Sequence, residues 1–341
     1  MTEYLIITSR NLENITLQEL KENNIKILNK DYRKLKIESN NPEELLKLKS
    51  PDDILIFLKE FEDNDHFTGN LDNIIKKIKE LDLTNAIKIC KQVREIKEPT
   101  FAVTASIIGK RQFRQDYLKF KVASVLKTKK LIHQEGSKPE IDFHIIIFNN
   151  SINLGIRLTK NPLYKRYYKV KALKGSLKAN IAYCMLRLGE IKPEEIVLDP
   201  FCGAGTIPIE AALLGAKTFG FDIDKEAIRL AKRNTGRAKT QVTYEIKDSR
   251  NTNLEPKSID KIVSNLPFNK QIGIDSPRRF FTKVLQESDK ILKSKGKMIF
   301  LTIHSRLIKD LLQETKSFKL INEREISLFG LKPVILIIQK N

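Results

Sequence analysis

A run of small and acidic residues beside an apolar stretch is the first place where this sequence could do chemistry. Ile196-Val-Leu-Asp199-Pro-Phe-Cys-Gly203-Ala-Gly205-Thr206 reads as a strand, a tight glycine turn and the start of a helix. Gly203 and Gly205 remove Cβ atoms from a turn that a bulky ligand must approach. The third glycine of a dinucleotide fingerprint is absent, and Ile207-Pro208 occupies the following helix positions, so a pyrophosphate on the helix N-terminus is disfavoured. No Walker-type G-x-x-x-x-G-K-S/T run occurs. Instead Asp199 ends the strand, where a carboxylate suits a cationic ligand group such as an ammonium. Asp222, in Phe221-Asp222-Ile223-Asp224, follows 23 residues later, a spacing at which an acidic residue takes ribose hydroxyls. Asp248 closes the next apolar segment and can accept a bond from an adenine amino group. Three carboxylates at successive strand ends fit S-adenosyl-L-methionine better than NAD or ATP. The alternative is that Asp222, Asp224 and Asp248 are ordinary helix N-caps.

After the fourth strand of this series comes Ser264-Asn265-Leu266-Pro267-Phe268. An exocyclic amine on a base is a poor nucleophile because its lone pair is delocalised into the ring. The Asn265 side-chain oxygen and the Leu266 carbonyl can accept both amine hydrogens and draw the nitrogen toward tetrahedral geometry. Pro267 stiffens the turn, and Phe268 offers a stacking face to a base taken out of its helix. The alternative is a plain strand-to-loop turn. Cys202 lies in the glycine turn on the cofactor side, so a mechanism needing an attacking thiolate is not expected. Three cysteines and four scattered histidines leave no disulfide framework and no metal site to expect.

These residues need a scaffold, and from Glu195 onward the sequence supplies strict β/α alternation. Strands are expected at Ile196–Leu198, Lys217–Phe221, Val242–Ile246, Ile259–Ser264 and Met298–Thr302, then Lys319–Glu325 with Val334–Ile338 as a terminal hairpin. Helices are expected at Ser176–Leu188, Thr206–Leu214, Lys225–Thr235, Pro277–Leu292 and Ser305–Glu314. The fold class is α/β, a doubly wound seven-stranded mixed sheet. The first half mixes shorter elements. Residues 1–60 read as a ferredoxin-like α+β unit, and residues 61–158 as a second unit. The latter has helices at Leu71–Leu81 and Asn85–Ile96, a strand at Phe101–Ile108, an amphipathic helix at Asp116–Lys130, and a hairpin of Ile141–Phe148 with Ile152–Leu158. Residues 159–175 are basic and aromatic and read as a linker, leaving 176–341 as the third segment.

The 341 residues carry a formal charge of +20, unevenly spread. Residues 1–100 are net −2, residues 101–180 net +13, and residues 181–341 net +9. A thirteen-charge excess in one window predicts a polyanion partner, since neutralising phosphates releases counterions; a solvated lysine-rich surface is the plainer alternative. Nucleic acid is favoured over membrane, because no basic amphipathic helix with an aromatic face occurs. No apolar run approaches a membrane span, and MTEYLIITSR has no secretory pattern. A cytoplasmic location is expected. Lys110, Arg111, Arg114, Lys165, Arg166 and Lys169 lie in the basic window, interleaved with Phe113, Tyr164, Tyr167 and Tyr168. Cations can contact phosphate there and aromatics can stack on unpaired bases. Lys119, Lys121, Lys127, Lys129 and Lys130 read as solubilising.

The Asn265-Leu-Pro-Phe tetrapeptide resembles the motif of amino-methyltransferases with Asn/Asp-x-Pro-Phe/Tyr after that strand. The resemblance extends over nearly the whole chain. Phe101-Ala-Val-Thr-Ala, Gly109-Lys110-Arg111-Gln112-Phe113, the helix from Asp116 and Asn153-Leu-Gly-Ile-Arg157 are similar to a THUMP domain. Leu163-Tyr-Lys-Arg166-Tyr-Tyr, Leu173-Lys-Gly-Ser176-Leu177-Lys178 and Asp199–Thr206 resemble the THUMP-bearing guanine-N2 methyltransferases. The resemblance implies a ferredoxin-like plus THUMP first half and a Rossmann-fold class I methyltransferase domain. It implies transfer from S-adenosyl-L-methionine to guanine N2, and the Asn-Leu-Pro-Phe form looks most like enzymes acting at tRNA position 6. Relatives acting on position 10 more often show Asp-Pro-Pro-Tyr; that site, or 23S rRNA, is the alternative, and a non-catalytic tRNA-binding protein is the alternative of another class. Cofactor contacts are implied for Ser176, Leu177, Asp199, Phe201, Gly203, Gly205, Thr206, Asp222, Ile223, Asp248, Ser249 and Asn265. RNA contacts are implied for Lys110, Arg111, Arg114, Arg157, Lys165 and Arg166. The implied partner is tRNA, held at its acceptor stem and 3′ end, by a monomer, with no membrane and no DNA. Asn269-Lys270 departs from the glycine that often follows the motif.

Overall fold

Tyr4, Leu5 and Ile6 are buried at the centre of β1 (Thr2–Ile7), the strand around which the first half is organised. The computed structural model describes residues 1–63, 71–129, 131–134, 139–170, 175–268, 276–328 and 330–341. After β1 come α1 (Glu13–Glu22), β2 (Lys26–Asp31), β3 (Lys34–Ser39), α2 (Pro42–Leu45) and β4 (Asp53–Glu62). The order β2-β3-β1-β4, with antiparallel pairs throughout, is the ferredoxin-like arrangement expected for residues 1–60. β2 was not expected: it is an exposed edge strand with little apolar signal. α2 opens on Asn41, which accepts from the Glu43 N–H at 3.2 Å, with Pro42 in the first turn. It ends at Leu45.

The first half continues with α3 (Asp72–Lys79), α4 (Thr84–Val93), β5 (Thr100–Ile108), α5 (Gln115–Lys127), β6 (Ile132–His133), β7 (Ile141–Phe148) and β8 (Ser151–Arg157). The predicted hairpin is present, with Phe143 facing Ile156 and Phe148 facing Ser151. β8 also pairs with β4, so a single sheet, β2-β3-β1-β4-β8-β7-β5-β6, runs across the expected boundary at residue 60. Leu118, Val122, Val125 and Leu126 of α5 are buried as their spacing requires.

The second half contains α6 (Ala179–Leu188), β9 (Ile196–Asp199), α7 (Thr206–Ala212), β10 (Lys217–Asp222), α8 (Lys225–Ala238), β11 (Thr243–Ile246), β12 (Ile259–Asn265), α9 (Pro277–Ile291), β13 (Leu292–Thr302), α10 (Ser305–Thr315), β14 (Phe318–Glu325) and β15 (Val334–Lys340). The seven-stranded order is β11-β10-β9-β12-β13-β15-β14. β9 to β13 are parallel and β15 is antiparallel to both neighbours. A parallel sheet covered on both faces demands near-continuous apolar strands, and Ile262, Val263, Met298, Ile299, Phe300 and Leu301 are all fully buried. Ser176 and Leu177 precede α6 rather than opening it.

The chain divides into two units, Met1–Thr8 with Leu17–Leu163, and Ser9–Thr16 with Tyr164–Asn341. Ser9–Thr16 therefore goes with the second unit: Leu12 and Ile15 join its core, and Arg10 pairs with Glu325 at 3.2 Å. Tyr164 onward also belongs there, so the stretch read as a linker largely does not act as one. Tyr168 is buried against Ile209 and Ala238, and its hydroxyl donates to Glu210 at 2.8 Å. No helix among the described residues is long and apolar enough to cross a membrane.

Candidate active site

Because β9, β10, β11 and β12 run parallel, their C-terminal ends lie along one edge of the sheet, where open α/β sheets bind ligands. Asp199, Asp222 and Asn265 are the last residues of three of these strands, and Asp248 stands two beyond Ile246. The expected carboxylate series is thus assembled on one edge.

Asp199 is buried. Its Oδ1 accepts from the Ser264 hydroxyl at 2.6 Å and the Phe201 N–H at 3.1 Å. No cation pairs with it among the described residues, and burial, with a smaller contribution from the Asp222 charge, pushes its carboxyl up to about 7. A buried carboxyl in that state gains most from a cationic ligand, which favours its charged form. Asp222 ties the glycine turn to the next loop: Oδ2 accepts from the Gly203 N–H at 2.9 Å and Oδ1 from the Asp224 N–H at 3.0 Å. Asp224 is the helix N-cap that the plainer reading proposed, accepting from Glu226 N–H at 2.8 Å. Asp248 caps no helix. Arg250 holds it through Nε at 2.9 Å, and that hydrogen bond keeps its carboxyl below the ordinary range.

The two glycines differ in what they permit. Both have positive φ, +50° at Gly203 and +80° at Gly205. A Cβ on Gly205 would meet the Tyr244 hydroxyl at 2.4 Å, whereas one on Gly203 meets nothing within 4 Å. Gly205 is required by packing within the protein, and only Gly203 faces open space. Cys202 is buried, and its thiol is pushed well up by burial and by the nearby Asp199 and Asp222 charges; a neutral thiol there is no nucleophile.

Asn265 ends β12 with its Oδ1 buried and without a hydrogen-bond donor among the described residues. An unsatisfied buried acceptor costs about 1–3 kcal/mol, so this atom is suited to a donor brought by a ligand. The Leu266 N–H donates to Leu301 O at 2.9 Å, which fixes the turn to β13. Leu266 and Pro267 are buried and Phe268 is half-buried. Asn269 and Lys270 lie outside the described residues, as do Leu173 and Lys174.

Among the other implied contacts, Leu177 is buried and its carbonyl accepts from Lys169 Nζ at 2.7 Å. Thr206 and Ser249 are buried, Phe201 and Ser176 half-buried, and Ile223 is 63% exposed beside Asp222. Beyond those expected, an aromatic file leads along the edge: Phe201 to Phe280 at 5.9 Å, Phe280 to Phe281 at 5.3 Å, and Phe281 to His304 at 5.4 Å between ring centroids. The Arg250 guanidinium lies 5.7 Å from the Phe280 centroid. The Phe280-Phe281 pair at the start of a helix was the available signal in the sequence; nothing distinguished His304.

Half of the expected RNA contacts are corrected. Arg111 is buried on Asp63 at 2.8 Å, and Arg157 lies between Asp53, at 2.7 Å, and Asp142. Arg166 donates to the buried Glu210 at 3.0 Å. Each is an internal counter-charge, because burying a carboxylate requires a partner. Phe113 and Tyr168 are buried core. Lys169 is tucked in as well, and burial draws its ammonium down to about 8. Lys110, Arg114, Lys165 and Tyr167 are exposed, and Lys178 Nζ sits 4.4 Å from the Tyr164 ring. The outer face of α5 also presents Tyr117 and Phe120, 49% and 67% exposed, on the helix whose lysines read as merely solubilising.

Residues 166–332 match the family described as RMKL-like, methyltransferase domain. The second unit is a methyltransferase domain similar to that family. The tRNA (guanine(6)-N2)-methyltransferase of Thermus thermophilus is 26% identical over 246 residues, covering 71% of this chain and 72% of its own. The enzyme of the same name from Methanocaldococcus jannaschii is 24% identical over 310 residues, covering 76% and 79%. The crystal structure of TrmN from Thermus thermophilus superposes with a TM-score of 0.78 at 22% identity, covering 100% of both chains, and so shares the fold. The methyl donor of this methyltransferase is S-adenosyl-L-methionine, and the edge fits it. The uncompensated Asp199 carboxyl suits the donor's ammonium, Asp222 its ribose, exposed Ile223 and Asp248 its adenine, and Gly203 leaves the space open.

Proposed function

We propose that this chain is a tRNA guanine-N2 methyltransferase that methylates the exocyclic amine of the guanine at position 6, in the acceptor stem. The observation that carries this reading is the buried, donorless Oδ1 of Asn265 at the end of β12, one strand from Asp199. S-adenosyl-L-methionine, when bound, supplies an electrophilic sulfonium methyl group. Asn265 Oδ1 and the Leu266 carbonyl accept the two amine hydrogens and turn the N2 lone pair out of the ring's conjugation. Pro267 limits the turn to one backbone path, and Phe268 stacks on the unstacked base. One amine proton leaves to solvent and the other stays on N2.

The first unit, with its ferredoxin-like portion and THUMP-like remainder, holds the tRNA by its acceptor stem and 3′ end. Lys110 and Arg114 are its proposed contacts, and Lys165 and Tyr167 those of the second unit, all at residues that are exposed. The enzyme acts as a monomer in the cytoplasm. Incubating it with radioactive methyl donor and tRNA transcripts carrying guanine or adenine at position 6 tests the assignment. Label is expected only with guanine 6; equal label on both transcripts, or label at position 10, overturns it.

A further inference from the structure

In the strand order β10-β9-β12-β13, the cofactor carboxylates lie to one side of Asn265, so the target base must approach from the β13 side. Asn265 pairs in register with Leu301, and β13 ends at Thr302. His304 lies two residues on, its N–H donating to Thr302 Oγ1 at 2.9 Å. It is the N-cap residue of α10, yet its side chain makes no capping bond. Its ring packs on Phe281 at the end of the aromatic file. Like Asn265 Oδ1, its Nε2 is buried and has no hydrogen-bond partner among the described residues. Among the described residues, one of these orphaned atoms lies at the end of β12 and the other two residues past the end of the adjacent β13, and neighbouring strands stand about 4.8 Å apart. Burial also holds the imidazole below its ordinary pKa, leaving a neutral ring with one lone pair at neutral pH.

We propose that His304 is a specificity-determining residue whose Nε2 accepts the N1–H of the target guanine while Asn265 holds the adjacent N2 amine. The inference rests on the guanine-N2 reading above and names the group that reads the base. Guanine carries a hydrogen on N1; adenine and 2-aminopurine offer only a lone pair there. An acceptor at this point therefore selects guanine, and a purine without N1–H leaves two lone pairs facing each other.

The test uses the full chain and tRNA transcripts ligated to carry guanine or 2-aminopurine at the target position; both bases keep the C2 amine. Wild type is expected to methylate guanine at least about thirtyfold faster in kcat/KM. His304→Ala should slow guanine by about tenfold to a hundredfold and leave 2-aminopurine within about threefold, at unchanged Tm. His304→Gln, whose amide oxygen can accept, should recover part of the preference. If His304→Ala slows both bases equally, or keeps the preference, the assignment of His304 is overturned while the guanine-N2 reading stands. If wild type methylates neither transcript, the reading itself fails and the inference with it.

Discussion

Buried carboxylates are treated in opposite ways by the two units. In the first, Asp63 meets Arg111, and Asp53 and Asp142 share Arg157. Burial alone would raise Asp142, but His144 and Arg157 hold it below the ordinary range. Asp53 stays raised by burial even with its guanidinium in place. In the second unit Asp199 is buried with only a hydroxyl and an N–H to meet it. A carboxylate whose cation is built in is architecture; one whose cation is missing awaits a ligand. Applied to the six expected RNA contacts, this distinction removes Arg111, Arg157 and Arg166 and leaves Lys110, Arg114 and Lys165 as the proposed ones.

That contrast can be broken in four ways. Asn265→Ala should lower the single-turnover methylation rate by about a hundredfold to a thousandfold, with cofactor affinity by calorimetry unchanged. If affinity collapses instead, Asn265 belongs with the carboxylates. Next, Arg157→Ala strips the counter-charge from two buried aspartates and should cost the first unit about 3–5 kcal/mol in denaturant unfolding; a neutral result would return Arg157 to the surface. A smaller effect is expected from Asp199→Asn. A carboxyl raised to about 7 in the fold binds its proton more tightly there than in the unfolded chain. Its stabilising contribution is complete below the unfolded pKa and is lost as pH rises through 7,. Asp199→Asn should thus raise the Tm of the ligand-free protein by about 2–5 °C at pH 8 and not at pH 4, while weakening cofactor binding. Smallest, Lys110→Ala and Arg114→Ala should each flatten the log–log salt dependence of tRNA binding by about one unit, with Tm unchanged. The same substitution at Arg111 should instead lower Tm.

Much of the second unit was legible because β9 and the Met298–Leu301 stretch of β13 are apolar runs, and because acidic or amide residues end three of the parallel strands. Strand ends at Asp199, Asp222 and Asn265 could be read directly. The first segment of β13 was missed because Lys293–Lys297 is polar, and β2 because an edge strand needs no apolar alternation. The fate of the arginines was invisible for a different reason. Guanidinium suits phosphate and buried carboxylate equally, and the partners of Arg111 and Arg157 lie 48 and 104 residues away. Placing Ser9–Thr16 with the second unit depends in the same way on a remote contact, with Glu325. His304 carried no motif; its packing on Phe281 and an Nε2 without a hydrogen-bond partner among the described residues mark it.

The central claim, that this edge activates a guanine amine, is tested most directly by identifying the product. Bulk tRNA is treated with the enzyme and methyl donor, digested to nucleosides and analysed by mass spectrometry. N2-methylguanosine should accumulate with wild type and be reduced to background with Asn265→Ala. N6-methyladenosine or 1-methylguanosine as the product, or undiminished N2-methylguanosine from the variant, would contradict it.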